Sequence, residues 1–427
     1  MRRALAPAAL ALAAFVRPSA AQQVQVTLVE AVQRSLVVQP AVVQARGAVT
    51  NADWQKRAAY GAFLPTVSLA SSAFRQNAPS IQNGFSTAAG TYEYNSSLSA
   101  SLDLFTGFRR LAQYRGANAT EDAADAGLVA QRYQVTVATE QAFYTALADE
   151  DLVRVAEAQV QRAREELQIS VNKFQAGAAT RSDTLTSTVD LGNAQLTLLQ
   201  GQANLLTAQA NLARQIGVDT PVRAVPDSQL PAPPDTTGLR PAALAGAPTV
   251  VQADALARAA SASVWDARSQ YFPTITASLL TSSQGFTEPW TGFDAGNRNL
   301  NQFRIGLSWT LFNGFQREQA TAQSVASLDL ARAQAADTRR QLSAEFTQEV
   351  AGLFTAYAQI AITGANVDAA AEALRVQQER YRLGAATLLD LLTAEANLTQ
   401  AQVNQVQARY NYLIGRAQLE ALVGHTL

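Results

Sequence analysis

The chain is written twice. Residues 174–186 read FQAGAATRSDTLT and residues 381–393 read YRLGAATLLDLLT, so an offset of 207 brings seven of thirteen positions into register. Other landmarks keep nearly that spacing: Pro40 with Pro248, Pro65 with Pro273, and the Gly107-Phe108 step with Gly314-Phe315. A duplication of this length means two copies of one structural unit, and any fold must use that unit twice.

The first residues set an expected compartment. Met1-Arg2-Arg3 is a short basic start, Ala4 to Val16 is an apolar run, and Ser19-Ala20-Ala21 supplies small residues for a signal peptidase. Residues 1–21 therefore read as a cleaved signal peptide. The run is shorter than the roughly 20 residues that a membrane-crossing helix needs, and no Cys follows it, so no lipid attachment is expected. Behind it, residues 22–217 read as the first repeat, 218–247 as a Pro-rich connector and 248–427 as the second repeat. No later span reads as apolar enough for a transmembrane helix.

Composition narrows the classes. A net charge of -1 with 16% charged residues leaves little for a nucleic-acid footprint. Cys is absent and the one His is His425, near the C-terminus, so neither a triad nor a His or Cys metal site has its parts. The paired carboxylates Glu165 and Glu166 read as the solvated face of a charged helix. No enzyme activity, cofactor or metal is expected.

Each repeat holds two stretches with a period of two. Tyr92, Tyr94, Leu98, Ala100, Leu102 and Leu104 share one face, with Glu93, Asn95, Ser97, Ser99, Ser101 and Asp103 on the other. In the second repeat Phe303, Ile305, Leu307, Trp309 and Leu311 alternate with Gln302, Arg304, Gly306, Ser308 and Thr310. Partners from about 65 to 74 and 273 to 282 make each pair a hairpin. Such alternation suits a half-buried soluble sheet or a barrel with lipid outside and water within. Strands of about ten residues favour the barrel, as do the export signal and aromatics near both strand ends (Tyr60, Phe63, Tyr271, Phe272; Phe85, Tyr92, Trp290, Phe293). Four strands cannot close, since small barrels need about eight, so a barrel would require several chains.

Around the hairpins the chain is helix-forming: about 27–60, 109–174 and 182–216 in the first repeat, and 249–271, 316–381 and 388–423 in the second. Some 60 residues would make a rod of about 90 Å. Gly217 and Gly424 read as helix stops. Pro65, Gly107, Pro273 and Gly314 stand where strand meets helix. Thr180-x-x-Asp183 and Thr387-x-x-Asp390 both fit a capping box. The connector reads as a tether or as a loop laid on the helices.

The order of helix, Leu-Pro step, β-hairpin, Phe-x-Gly-Phe step, long helix, glycine turn and return helix, given twice, resembles the TolC family of outer-membrane efflux and secretion proteins. The most specific pieces are Tyr381-Arg382-Leu383-Gly384, Asp390-Leu391-Leu392-Thr393-Ala394-Glu395 and Tyr410-Asn411-Tyr412-Leu413-Ile414. The resemblance covers essentially all of the chain behind the signal. It implies a mainly α fold with a β-barrel contribution: a homotrimer in which each chain gives four strands to a twelve-stranded barrel in outer-membrane lipid, continued by an α-helical tunnel across the periplasm. The implied partners are a periplasmic adaptor (membrane fusion protein) and an inner-membrane pump, proton-driven or of the ABC type, with this chain as the passive duct.

The resemblance also assigns roles at the turns between helices. A tip tyrosine matching Tyr381 bonds an aspartate matching Asp183 on a neighbouring hairpin, with Ser182 in the same gate, and an aspartate matching Asp390 forms a ring around the pore. Ala386 stands where the prototype has a bracing arginine, and Thr393 stands where it has a second ring aspartate, which implies a weaker latch and a less cation-selective tip. Ala176, Gly177, Ala178, Arg382, Leu383 and Gly384 are the expected adaptor contacts. The rival reading is a periplasmic coiled-coil scaffold or adaptor with no membrane barrel.

Overall fold

A computed structural model describes residues 24–75, 77, 80–82, 85–87, 92–226, 230–235, 240, 245–285 and 298–424. The expected signal peptide, the loop aromatics Trp290 and Phe293, and His425 lie outside the described residues. The chain divides into two compact units. One comprises Met1–Gln39, Ala138–Ala232 and Ala356–Ile414, and the other Pro40–Val137, Pro233–Thr355 and Gly415–Leu427.

The second unit carries the strands with period two. β2 (Thr66–Arg75), β5 (Tyr92–Phe105), β7 (Thr274–Gly285) and β8 (Arg298–Ser308) form one antiparallel sheet in the order β2-β5-β7-β8. Two short strands, β3 (Ser80–Gln82) and β4 (Phe85–Thr87), pair between β2 and β5 in the sequence. The hairpins are copies in register as well as in sequence: Leu69 faces Leu98 in the first, and Ala277 faces Ile305 in the second. That register puts Val67, Leu69, Leu98, Leu279, Phe303, Ile305 and Leu307 on one face. All are exposed, Phe303 at 69% and Leu307 at 68%. Burying a side chain of this size is worth about 1.5–3 kcal/mol, so a face of this kind left in water is a large deficit. On the opposite face hydroxyls pair across strands, Thr66 with Ser101 and Ser68 with Ser99, each at 2.7 Å between oxygens. In the same unit the helices α2 (Pro40–Gly61) and α5 (Pro248–Arg268) precede the two hairpins.

The long helices match in length as strictly as the hairpins match in register. α3 (Arg109–Gln175) and α6 (Gln316–Arg382) have 67 residues each, and α4 (Arg181–Ile216) and α7 (Leu388–Val423) have 36 each. From residue 153 to the end of α3 the buried positions are Val153, Ala156, Val160, Ala163, Glu166 and Ser170. Their spacings of three or four are those of a helix-packing seam, and small residues let neighbouring backbones approach.

In the first unit a core of Val26, Phe143, Leu147, Leu212, Ile216, Val222 and Tyr410 packs around a two-stranded parallel ladder of β1 (Val24–Val26) and β6 (Val222–Ala224). The connector thus begins as a strand, and Pro231 accepts a hydrogen bond from the Tyr412 hydroxyl at 2.8 Å.

Two expectations need correction. The helix expected over 27–60 is broken: α1 (Leu28–Val38) ends at Gln39, which is extended, and α2 starts at Pro40. Proline disfavours helical geometry in the residue before it. In addition, one 18-residue stretch of α6 reaches a mean hydropathy of 1.2, with 6% of the stretch buried. It is therefore long and apolar enough to pass the test for a span that no part of the chain was expected to pass.

Candidate functional site

The two turns between long helices share one backbone design. Gly177 and Gly384 take φ of 75° and 76°, and the next amide in each turn bonds back to the helix, Ala178 N–H to the Lys173 carbonyl at 2.8 Å and Ala385 N–H to the Arg380 carbonyl at 2.7 Å. This is a Schellman closure, which needs a residue at ease in the left-handed region. The next helix opens with a reciprocal cap. The Asp183 amide donates to Thr180 Oγ1 at 3.2 Å and the Thr180 amide to Asp183 Oδ2 at 2.8 Å; the Asp390 amide donates to Thr387 Oγ1 at 3.2 Å and the Thr387 amide to Asp390 Oδ2 at 2.9 Å. The Thr387 hydroxyl adds a bond to Asp390 Oδ2 at 2.8 Å. Bonds from the Thr387 backbone and hydroxyl hold the Asp390 carboxyl below its ordinary pKa.

The exposed ends differ in chemistry. Ala176, Gly177, Ala178, Arg181 and Ser182 present small and polar groups, whereas Leu383 (75% exposed) and Leu389 (72%) flank the second turn. Arg382 pairs with Glu379 at 3.0 Å, and the Thr393 hydroxyl bonds back to the Leu389 carbonyl at 2.8 Å.

The structure does not bring Tyr381 to Asp183. Tyr381 is buried, its hydroxyl lies 3.4 Å from Ser170 Oγ, and Ser170 in turn lies 2.9 Å from Ser187 Oγ. Lys173 donates to the Tyr381 carbonyl and sits 3.7 Å from the centre of its ring. Within the single chain Tyr381 thus ends a tyrosine–serine–serine line, and the Asp183 carboxylate is engaged by its own helix start.

One correction concerns Glu166. Glu165 is exposed and accepts a bond from Gln161 at 3.1 Å, but Glu166 is only 3% exposed. It shares a pocket with Asp190 of α4 and Glu395 of α7. Burial first, then Glu395 and Asp190, pushes the Glu166 carboxyl up to about 9; burial also raises Glu395 and Asp190 and lowers Lys173. Glu166, Ser170 and Lys173 are spaced by four and three, so they share one helix face. A polar residue falling where the seam Val153, Ala156, Val160, Ala163 is due to continue was the available signal.

At the strand–helix junctions the duplication is almost literal. Gly107 and Phe108 have φ of 60° and 67°, and Gly314 and Phe315 have 66° and 64°. The paired rings meet edge-on, Phe105 with Phe108 at 5.5 Å and Phe312 with Phe315 at 5.5 Å. Arg110 donates to the Leu104 carbonyl at 3.2 Å, and Arg317 to the Leu311 carbonyl at 2.8 Å. Each guanidinium also lies over a ring from before the first strand of its hairpin, Phe63 at 4.9 Å and Tyr271 at 4.8 Å. Pro65 and Pro273 stand immediately before β2 and β7. The left-handed phenylalanines and the arginine clamps were not foreseen. The clamps repeat at the offset of 207, which was the signal for them.

The model of a family described as outer membrane efflux protein matches residues 21–218 and again 239–425, one match to each repeat. The toluene efflux pump outer membrane protein TtgC of Pseudomonas putida is 24% identical over 370 residues, covering 84% of this chain and 75% of its own. The alkaline protease secretion protein AprF of Pseudomonas aeruginosa is 24% identical over 338 residues, covering 78% and 69%. Among solved structures, the outer membrane protein VceC of Vibrio cholerae superposes with a TM-score of 0.81 at 22% identity, covering 93% of this chain and 96% of that one. At that identity the likeness speaks for the fold.

Proposed function

The chain belongs to the outer membrane efflux protein family, and from that membership we propose that three copies close a twelve-stranded barrel and serve as the exit duct of a three-part efflux or secretion machine. The place of the protein is the outer membrane and its work is that of a passive conduit.

One observation supports the trimer above all: among the described residues the sheet β2-β5-β7-β8 is open at both edges, each ten or eleven residues long, and carries an exposed apolar face. In lipid no water satisfies an open edge, so only closure removes the cost. A four-stranded sheet reaches barrel size only by meeting copies of itself.

The internal repeat supplies the geometry of that meeting. Within the chain Leu98 of β5 faces Thr281 of β7. Carrying the pair forward by one repeat, with 207 added on β5 and 208 removed on β7, sets Ile305 opposite Ala73 of the partner subunit. The glycines agree. A Cβ at Gly107 would meet Ser269 O at 2.5 Å and Phe272 Cβ at 2.7 Å, whereas one at Gly314 meets nothing within 4 Å among the described residues. The segment that crowds Gly107 corresponds to 61–64, and for Gly314 the matching segment belongs to the partner subunit.

At the hairpin ends, Asp390 from three chains forms an acidic ring that attracts cations and repels anions. Asp183, Ser182, Tyr381 and Thr393 complete the gate. Ala176, Gly177, Ala178, Arg382, Leu383 and Gly384 meet the periplasmic adaptor, which joins the duct to an inner-membrane pump. One relative is named for toluene efflux and another for protease secretion, so both small-molecule and polypeptide cargo fit an open duct whose specificity lies in the pump.

Reconstitution in planar bilayers tests this reading. Discrete cation-preferring conductance steps are expected, with Asp390→Ala reducing the preference. A protein that stays soluble without detergent and never conducts would favour the periplasmic scaffold instead.

A further inference from the structure

Glu166 of α3, Asp190 of α4 and Glu395 of α7 come from three helices of one unit, and each offers an oxygen within 4.8 Å of the others. Glu166 and Glu395 are 3% and 8% exposed. Both Glu166 oxygens are buried and accept no hydrogen bond from an N–H or a hydroxyl among the described residues, although a buried carboxylate ordinarily has a donor for each oxygen; without a cation the protonated Glu166 carboxyl donates to that of Glu395. The Arg162 guanidinium favours the ionised form of Glu395. Its Nη2 is turned to Thr399 Oγ1 at 3.1 Å and its Nε is buried with no acceptor. With all three carboxyls ionised, as a bound cation would hold them, one guanidinium leaves two negative charges at the site.

We propose that Glu166, Asp190 and Glu395 bind one divalent cation of the calcium class, tying α7 to the hairpin of α3 and α4. The donor set is all hard oxygen, with no His or Cys, which suits calcium or magnesium rather than zinc. Magnesium demands a near-ideal octahedron and usually keeps several waters on one or two carboxylates, whereas calcium accepts carboxylate-rich sites of flexible geometry, so a site of three carboxylates suits calcium better. Three carboxylates also offer up to six oxygens, and a doubly positive ion balances the enclosed charge. The upward push on the Glu166 carboxyl is what the same enclosure does when a proton has to take the cation's place.

The site lies nine residues before the end of α3 and nine after the start of α4, about 14 Å from the turn at 1.5 Å per residue. It is thus separate from the acidic ring assigned to Asp390, and it is built within one chain whether or not the trimer reading holds.

The test uses the full mature chain in detergent, freed of metal with EDTA and titrated with calcium chloride or magnesium chloride by calorimetry at pH 7.5. One calcium per chain is expected, with magnesium at least tenfold weaker. Glu166→Gln and Glu395→Gln are each expected to weaken calcium at least tenfold, while Glu165→Gln, on the exposed neighbour, leaves it unchanged. Thermal unfolding in EDTA shows whether the variants fold: Glu166→Gln should melt no lower than the parent there, because it replaces a carboxyl that already carries a proton without the ion, and only the parent should gain on adding calcium. No saturable binding up to 10 mM calcium, an approximate ceiling set by the weak end of protein calcium sites, overturns the proposal. So does equal binding by the parent and by Glu166→Gln.

Discussion

The two hairpin ends have one backbone and two interiors. Both turn on a left-handed glycine and reopen on a threonine–aspartate cap. Nearest the first turn, however, lie Ser170, Ser187, Glu166 and Asp190, with Val160, Ala163 and Ala194 deeper, and behind the second lie Leu374, Tyr381, Leu388, Leu391 and Leu398, with Glu395 alone of that hairpin reaching the acidic cluster. Local hydrogen bonds therefore fix the path of the turn, while the residues at core positions set how firmly it is held. An apolar interior resists opening through buried area and packing. A polar one is held by a few directional contacts whose strength depends on protons and ions.

This comparison predicts its largest effect at Leu391, which is 3% exposed. Leu391→Ala should cost about 2–5 kcal/mol through lost burial and a cavity, read as faster amide hydrogen exchange confined to α6 and α7 near the turn. Ser187→Ala at the first end removes one buried hydroxyl partner and should cost nearer 1 kcal/mol. If the serine change opened its hairpin as much as the leucine change opens the other, the contrast between the interiors would be wrong.

A middle-sized effect is expected from the junction glycines. Both have positive φ, so an added Cβ strains each backbone by about 1 kcal/mol or more. In the single chain only Gly107 is crowded as well. If a partner subunit fills the space at Gly314, then Gly314→Ala should lower the yield of assembled protein as severely as Gly107→Ala. A mild effect at 314 alone would argue against that neighbour.

The smallest effects belong to the caps. Thr180→Ala and Thr387→Ala should each cost about 1 kcal/mol, since both remove a reciprocal cap. Acid should act on the second cap. The Asp390 carboxyl is held below its ordinary value, so its contribution is complete above that value and is lost as pH falls through the lowered one. Exchange rates at the start of α7 should rise below about pH 4, and Thr387→Ala should flatten that rise.

Much of this architecture was legible because it is periodic or local. Alternation at 92–104 and 302–311 placed strands, glycine spacing placed the turns, and Thr-x-x-Asp placed the helix starts. What escaped depends on contacts distant in sequence. The β1–β6 ladder pairs Val24 with Val222, and three-residue strands show no period. The break at Gln39 was signalled by Pro40 but overridden by the helical composition on both sides. The burial of Glu166 follows from which face of α3 meets α4 and α7, and a charged residue in a long helix is ordinarily read as solvated. The contact of Tyr381 with Ser170, 211 residues away, likewise follows from helix packing and leaves no local sequence signal.

Closure of the sheet by copies of the same chain is the claim on which the duct rests, and strand register tests it most directly. The chain has no Cys, so a pair introduced by Ile305→Cys and Ala73→Cys can link only to itself. Oxidation in the native outer membrane should give a covalent trimer, and moving the second position by two residues, to Ser71→Cys, should sharply reduce its yield. Monomer throughout, or equal linking at both positions, would contradict the account.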